Sequence, residues 1–197
     1  GYSWSDVPGT GSYIPEKPYK MKSILEDPNQ EVICHNSKFE YTHLKNNDIT
    51  LTNFQDTKIA AYLLGLPSTH LKDLAVQELG ITPITYSQVT NGKDMSELTA
   101  EEILPYAAAD ADNTLQLWDA LISRLKEYVL EDVYNNIEMP LVPVLSDMER
   151  RGVLVSPEAV DKAIDYFKEK QDDAECRAHY EIPLEVNIGS GDQLARW

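Results

Sequence analysis

Residues 31–40 read Glu-Val-Ile-Cys-His-Asn-Ser-Lys-Phe-Glu. Val32-Ile33-Cys34 is a short apolar run of a length that suits a buried strand. Asn36-Ser37 then starts a helix carrying Phe39, Tyr41 and Leu44. A buried strand running straight into a helix is an α/β arrangement, and the flanking sequence continues it. Upstream, Tyr2 and Trp4 share one strand face and Tyr13-Ile14 follow a Pro-Gly-Thr-Gly turn, which predicts a β-hairpin. Pro18 leads into a short amphipathic segment with Met21 and Leu25, ended by Asp27-Pro28-Asn29. Downstream, Asp56-Thr57 is N-cap chemistry before Ile59, Tyr62 and Leu63. Asp56 itself reads as that cap rather than as a ligand.

The helical pattern then takes over. His70 to Leu79 is a helix closed by Gly80, and residues 81–98 form a polar loop around Asn91-Gly92. Thr99 and Glu102 make a capping box, and Pro105 is expected to end that first turn and open a second helix. From Tyr106 to Glu127 the pattern buries Leu115, Trp118, Ile122 and Leu125. Val133 to Met148 is apolar and helical, with a kink or break expected at Pro140 and Pro143. Arg150-Arg151-Gly152 ends it, a short extended piece follows, and Ser156-Pro157-Glu158 caps a long last helix. After Tyr180 the pattern is lost. The expected division is an α/β domain over residues 1–127 and a helical extension over 128–197.

The composition bounds what this chain can do. Its 197 residues carry 33 acids and 17 bases, a formal charge of −16. Residues 1–127 hold 18 acids and 10 bases and residues 128–197 hold 15 and 7, so both parts come to −8 and no acidic tail exists. Such a charge argues against a freestanding DNA binder, which needs a basic patch, and against docking on anionic membranes. It leaves room for an enzyme that reaches phosphates through divalent metals. No apolar run approaches the roughly 18 residues of a membrane span. Cys34 and Cys176 lie in no metal or redox motif and are expected to be free thiols in a reducing cytoplasm. The four histidines show no zinc spacing.

The chemistry concentrates in Tyr106-Ala-Ala-Ala-Asp110-Ala-Asp112. Tyr106 and Asp110 are four apart and share a helix face, and the intervening alanines keep it low. A phenol beside a carboxylate there can orient a water next to a metal. The same spacing also suits a plain surface pair.

Taken with His35 to Glu40, Phe54-Gln55-Asp56-Thr57 and Leu71-Lys72-Asp73-Leu74-Ala75, this segment resembles the 3′–5′ exonuclease domain of bacterial family A DNA polymerases. Asn136 to Leu145 (Asn-Ile-Glu-Met-Pro-Leu-Val-Pro-Val-Leu) is the most specific stretch of the resemblance. Met148 to Val153 is similar to that family's connection to the polymerase domain, and Asn187 to Leu194 to the start of its thumb. The resemblance implies an RNase H-like fold, a mixed sheet flanked by helices, and two-metal phosphodiester hydrolysis by four carboxylates. Carried over, Asp110 and Glu40 are the candidate metal ligands and, with Tyr106, the candidate catalytic residues. Asn36, Phe39 and Tyr86 are the candidate DNA contacts, the two rings as stacking platforms or, equally, as core residues.

Two departures stand out. No Asp-x-Glu precedes the hairpin, so the family's opening strand is expected to be missing here. The family's second-motif Asp is Glu40, one methylene longer. An active member would use Mg²⁺ or Mn²⁺, while this stretch alone is expected to hold none and to cut little or not at all. The implied partners are a single-stranded DNA 3′ end, weakly held, and the rest of a polymerase chain. A cytoplasmic monomer is expected. The alternatives are a vestigial domain that braces a polymerase without turnover, and a freestanding α/β interaction module.

Overall fold

The computed structural model describes all residues, Gly1–Trp197. The chain divides into two compact units, Gly1–Arg151 and Gly152–Trp197.

The first unit opens with the expected hairpin, β1 (Tyr2–Trp4) against β2 (Ser12–Ile14), antiparallel with Tyr2 opposite Ile14. A 3₁₀ turn at Pro18–Met21 and α1 (Lys22–Leu25) follow. β3 (Val32–Cys34) pairs in parallel with β4 (Phe54–Asp56), Ile33 lying opposite Gln55. β4 is a strand that the sequence pattern did not reveal. The α/β class therefore holds, with its strands shared between two small sheets. α2 (Ser37–Lys45), α3 (Thr57–Leu63) and α4 (Leu71–Leu79) stand where the caps place them, and Gly80 closes α4 in the left-handed conformation.

Three expectations need correction. The polar loop contains a short helix, α5 (Tyr86–Thr90), because Thr85 and Gln88 form a reciprocal capping box. Pro105 does not divide the next helix. α6 runs unbroken from Ala100 to Glu127, since Pro105 sits in its early turns and the fold tolerates the one missing N–H. Residues 187–197 also contain a helix, α10 (Gly191–Arg196), capped by the Ser190 hydroxyl.

Around the two prolines the chain finds its own solution. After α7 (Glu131–Val133), residues Tyr134–Glu138 form a π-helical turn, in which the Met139 N–H donates to the Tyr134 carbonyl. α8 (Met139–Arg151) then carries both prolines, and Gly152 closes it with φ +68°. The wider turn absorbs the register change, so kink and helix coexist.

The main core joins Ala60 and Ala61 of α3, Leu74 of α4, and Leu117, Trp118, Leu121 and Leu125 of α6 to Tyr134. Leu115 and Ile122 are only half-buried, one position off the innermost stripe. A second cluster gathers Leu25, Cys34, Leu44, Ile49 and Leu51 beneath α2. α8 lies along α2, fixed by Thr42 to Ser146 (2.8 Å), Lys45 to Asp147 (2.7 Å), and the Lys38–Glu149 pair. The compact unit thus extends to Arg151. In the second unit, α9 (Pro157–Ala178) is capped by the Ser156 hydroxyl and buries none of its residues.

Candidate active site

Asp56 organises the region around β3 and β4. It is 2% exposed, and it is a helix cap, as its sequence context predicts. Its carboxylate accepts from the Lys58 and Ile59 N–H groups at the start of α3. It also accepts from the Asn36 N–H (3.0 Å), the Ser37 N–H (2.6 Å) and the Ser37 hydroxyl (2.7 Å). One buried charge thus satisfies orphan donors at the start of two helices. The geometry holds Asn36 at φ 77°, a left-handed position that asparagine tolerates. The Asp56 N–H in turn donates to the Tyr134 hydroxyl at 2.7 Å. Burial pushes the Tyr134 phenol well up, so it stays neutral.

Glu40, on α2, faces this buried region. Burial is the main cause that pushes its carboxyl up to about 7, and the Asp56 charge adds to it. Its Oε2 is buried without a hydrogen-bond partner. Glu40 and Asp56 both help to hold the buried Cys34 thiol well above its usual range, after burial itself. His35 is half-buried, not superficial: its Nδ1 lies 2.8 Å from the Thr57 hydroxyl, and burial lowers its pKa.

Asp110 and Tyr106 lie elsewhere, on α6. Lys72 from α4 forms an ion pair with Asp110 and places its ammonium 4.3 Å from the centre of the Tyr106 ring. Burial raises the Asp110 carboxyl, against the opposing pull of Lys72 and the Tyr106 hydroxyl. Burial and the Asp110 charge raise the Tyr106 phenol, and Tyr86 is near enough to add to this. Lys72 stands in a segment that carries the resemblance, but nothing in the sequence ties it to Asp110. Its role appears once α4 packs on α6.

The alanines serve a purpose the sequence did not show. A Cβ at Gly11 would lie 2.6 Å from the Ala108 carbonyl oxygen, so the hairpin rests on this seam. Asp112 accepts from the Gly9 N–H at 2.7 Å and pins the same hairpin.

The two candidate aromatic contacts are surface rings. Phe39 is 65% exposed and stacks on His43, with centroids 6.1 Å apart, and Tyr86 is 52% exposed. Core packing is therefore excluded for both.

The structure brings Tyr106, Asp110 and Tyr86 together and leaves Glu40 with Asn36 and Asp56. Asp110 exerts no resolved influence on Glu40, nor Glu40 on Asp110. Nowhere do three His, Cys, Asp or Glu side chains converge in a ligating arrangement. Asp110 already holds a lysine, and Glu40 lies in surroundings that favour its neutral form. These residues do not fit a two-metal centre as they stand.

The fold is that of an RNase H-like nuclease domain. A family model described as 3′-5′ exonuclease matches residues 12–126, and the chain belongs to that family. It is 33% identical over 182 residues to a DNA polymerase I of Rhizobium leguminosarum, covering 89% of this chain and 18% of that protein. It is 35% identical over 185 residues to one of Pseudomonas aeruginosa, covering 88% and 20%. The chain thus spans about a fifth of the length of these relatives. Among solved structures, the POL domain of Pol1 from M. smegmatis, in complex with DNA primer-template and dNTP, superposes with a TM-score of 0.62. It is 26% identical, covering 93% of this chain and 30% of that one. No helix is long and apolar enough to cross a membrane.

Proposed function

We propose that the chain is a 3′–5′ exonuclease-type domain of a DNA polymerase I whose own residues sustain little or no phosphodiester hydrolysis. The observation that carries this reading is the lysine on Asp110, with Glu40 in a separate, partly desolvated setting. A hydrolytic centre needs its carboxylates converged and free to take metal, whereas here Asp110 is paired with Lys72 and Glu40 lies apart in a site that favours its neutral form. Residues 1–127 then correspond to the exonuclease-like part and residues 128–197 to a connector leading toward a polymerase thumb. The domain acts chiefly as a brace for the rest of a cytoplasmic polymerase chain. It touches a single-stranded 3′ end weakly, through the exposed Phe39 and Tyr86 rings and the Asn36 amide.

A second reading keeps catalysis. Tyr106 and Asp110 share a helix face, the pairing of phenol and carboxylate that the resemblance implies for catalysis, and Tyr86 lies close by. On that reading the intact chain, supplied with Mg²⁺ or Mn²⁺, removes 3′ nucleotides from single strands.

The deciding experiment is digestion of a 3′-labelled single strand by the intact chain in either metal, beside Asp110→Ala. No metal-dependent loss of 3′ nucleotides supports the brace. Loss that Asp110→Ala abolishes overturns it.

A further inference from the structure

Lys72 is held by the fold, not left to wander on the surface. α4 is packed on α6 through the fully buried Leu74, which joins Leu117 and Leu121 in the core, and Ala75 beside it is also fully buried. One and a half turns along, Glu78 and Arg124 pair at 2.7 Å across the same two helices. Lys72 and Asp110 are both about three-quarters covered, at 26% and 24% side-chain exposure. The same ammonium lies over the Tyr106 ring, where the negative face of the aromatic adds a second attraction.

Nothing else competes for this carboxylate. Lys72 and Tyr106 are the groups that act on Asp110. The nearby acids are occupied: Asp73 accepts from the Ser68 hydroxyl, and Asp112 accepts from Gly9 and Gln116. One half-buried carboxylate has one negative charge to neutralise. A tethered ammonium does so without losing translational freedom and without shedding the tightly held water of a divalent ion.

We propose that Lys72 is the resident counter-cation of Asp110 and Tyr106, which a divalent metal can reach only by displacing it. Lys72 is thus a specificity-determining residue for cations at this site. The face that carries Tyr106 and Asp110 is cation-replete without metal, and its stability is independent of divalent ions. This rests on the reading above, but the digestion assay follows cleavage with DNA present and the test below follows metal binding without it, so the two fail separately.

The test uses the intact chain and Mn²⁺. Urea unfolding is followed in EDTA and across a Mn²⁺ titration at fixed ionic strength. Manganese electron paramagnetic resonance counts bound ions alongside. The wild type should show no saturable Mn²⁺ response, and Asp110→Asn should leave that unchanged. Lys72→Met, which keeps the stem and removes the charge, should bind Mn²⁺ at least tenfold more tightly than the wild type. Adding Asp110→Asn to it should abolish the gain, and Lys72→Arg should behave as wild type. A saturable wild-type response lost in Asp110→Asn overturns the proposal, as does a Lys72→Met protein that gains no affinity. Should Lys72→Met not fold, Lys72→Arg, Asp110→Asn and the wild type decide alone: any Mn²⁺ site that depends on Asp110 while the cation remains refutes the proposal.

Discussion

Glu40 should make the chain less stable as the pH rises from about 4.5 to about 7, and Glu40→Gln should remove that dependence. Burial lifts the Glu40 carboxyl from its ordinary 4.5 to about 7 in the folded state. Between those values the folded chain holds a proton that the unfolded chain has released. Stability therefore falls as pH rises through this window. Below 4.5 both states are protonated and the full stability is present. Above about 7 both are ionised and the loss is complete. At about 1.4 kcal/mol per pKa unit, the loss between pH 5 and pH 8 is roughly 2–3 kcal/mol. For a chain of this size that is a shift of roughly 5–10 °C in melting temperature.

Glutamine keeps the shape and cannot ionise. The quantity to measure is thus the difference between two pH profiles, in which every other titrating group cancels. Urea unfolding of the wild type and Glu40→Gln, in EDTA at pH 5, 6, 7 and 8, gives it directly. The wild type should lose roughly 2–3 kcal/mol more than the variant over that range. Parallel profiles would refute the assignment of a desolvated carboxyl to Glu40.

Four further outcomes follow from the packing. Tyr134→Phe leaves the buried Asp56 N–H without an acceptor and should cost about 1–3 kcal/mol in urea unfolding, with little change in far-ultraviolet dichroism. Gly11→Ala drives a methyl into the Ala108 backbone and should cost about 1–3 kcal/mol in the same assay. Phe39→Ala, at a 65% exposed ring, should change stability by no more than about 0.5 kcal/mol. It should also weaken fluorescence-detected binding of a single-stranded oligonucleotide by about 1–3 kcal/mol if the ring stacks on a base. A chain ended after Arg151 should unfold cooperatively, whereas one ended after Glu127 loses the fully buried Tyr134 and the helix lying on α2, and should show no cooperative transition by calorimetry.

Much of the fold was legible because local chemistry and tertiary packing agreed. The caps at Asp56, Thr99 and Ser156 and the stop at Gly80 all stand where side-chain chemistry puts them. The failures share one cause: they depend on distant residues. β4 is three residues long and becomes a strand only through its pairing with β3. Pro105 breaks no helix because the helix has tertiary support beyond it. Within the candidate site, the shared face of Tyr106 and Asp110 was readable from their spacing. Lys72, 38 residues away on another helix, carried no local mark. Phe39 and Tyr86 were undecided between core and surface, because an aromatic at a helix start suits either until its neighbours are in place.

The charge of −16 acquires a different meaning once the acids are followed to their partners. Asp56 caps two helix starts, Asp112 pins a hairpin, Asp110 holds a lysine, and Glu40 lies where its neutral form is favoured. Asp56, Asp110 and Asp112 are thus each balanced by local protein groups, and Glu40 by its own proton. Raising the pH to ionise Glu40 would add negative charge beside Asp56, deepening the repulsion at that end. Asp110, bound to Lys72, would be unaffected. The two ends do not cooperate electrostatically, so a single change does not convert this arrangement into a converged metal centre. Release of Asp110 from its lysine and movement of Glu40 out of its apolar setting are separate requirements, governed by different helices.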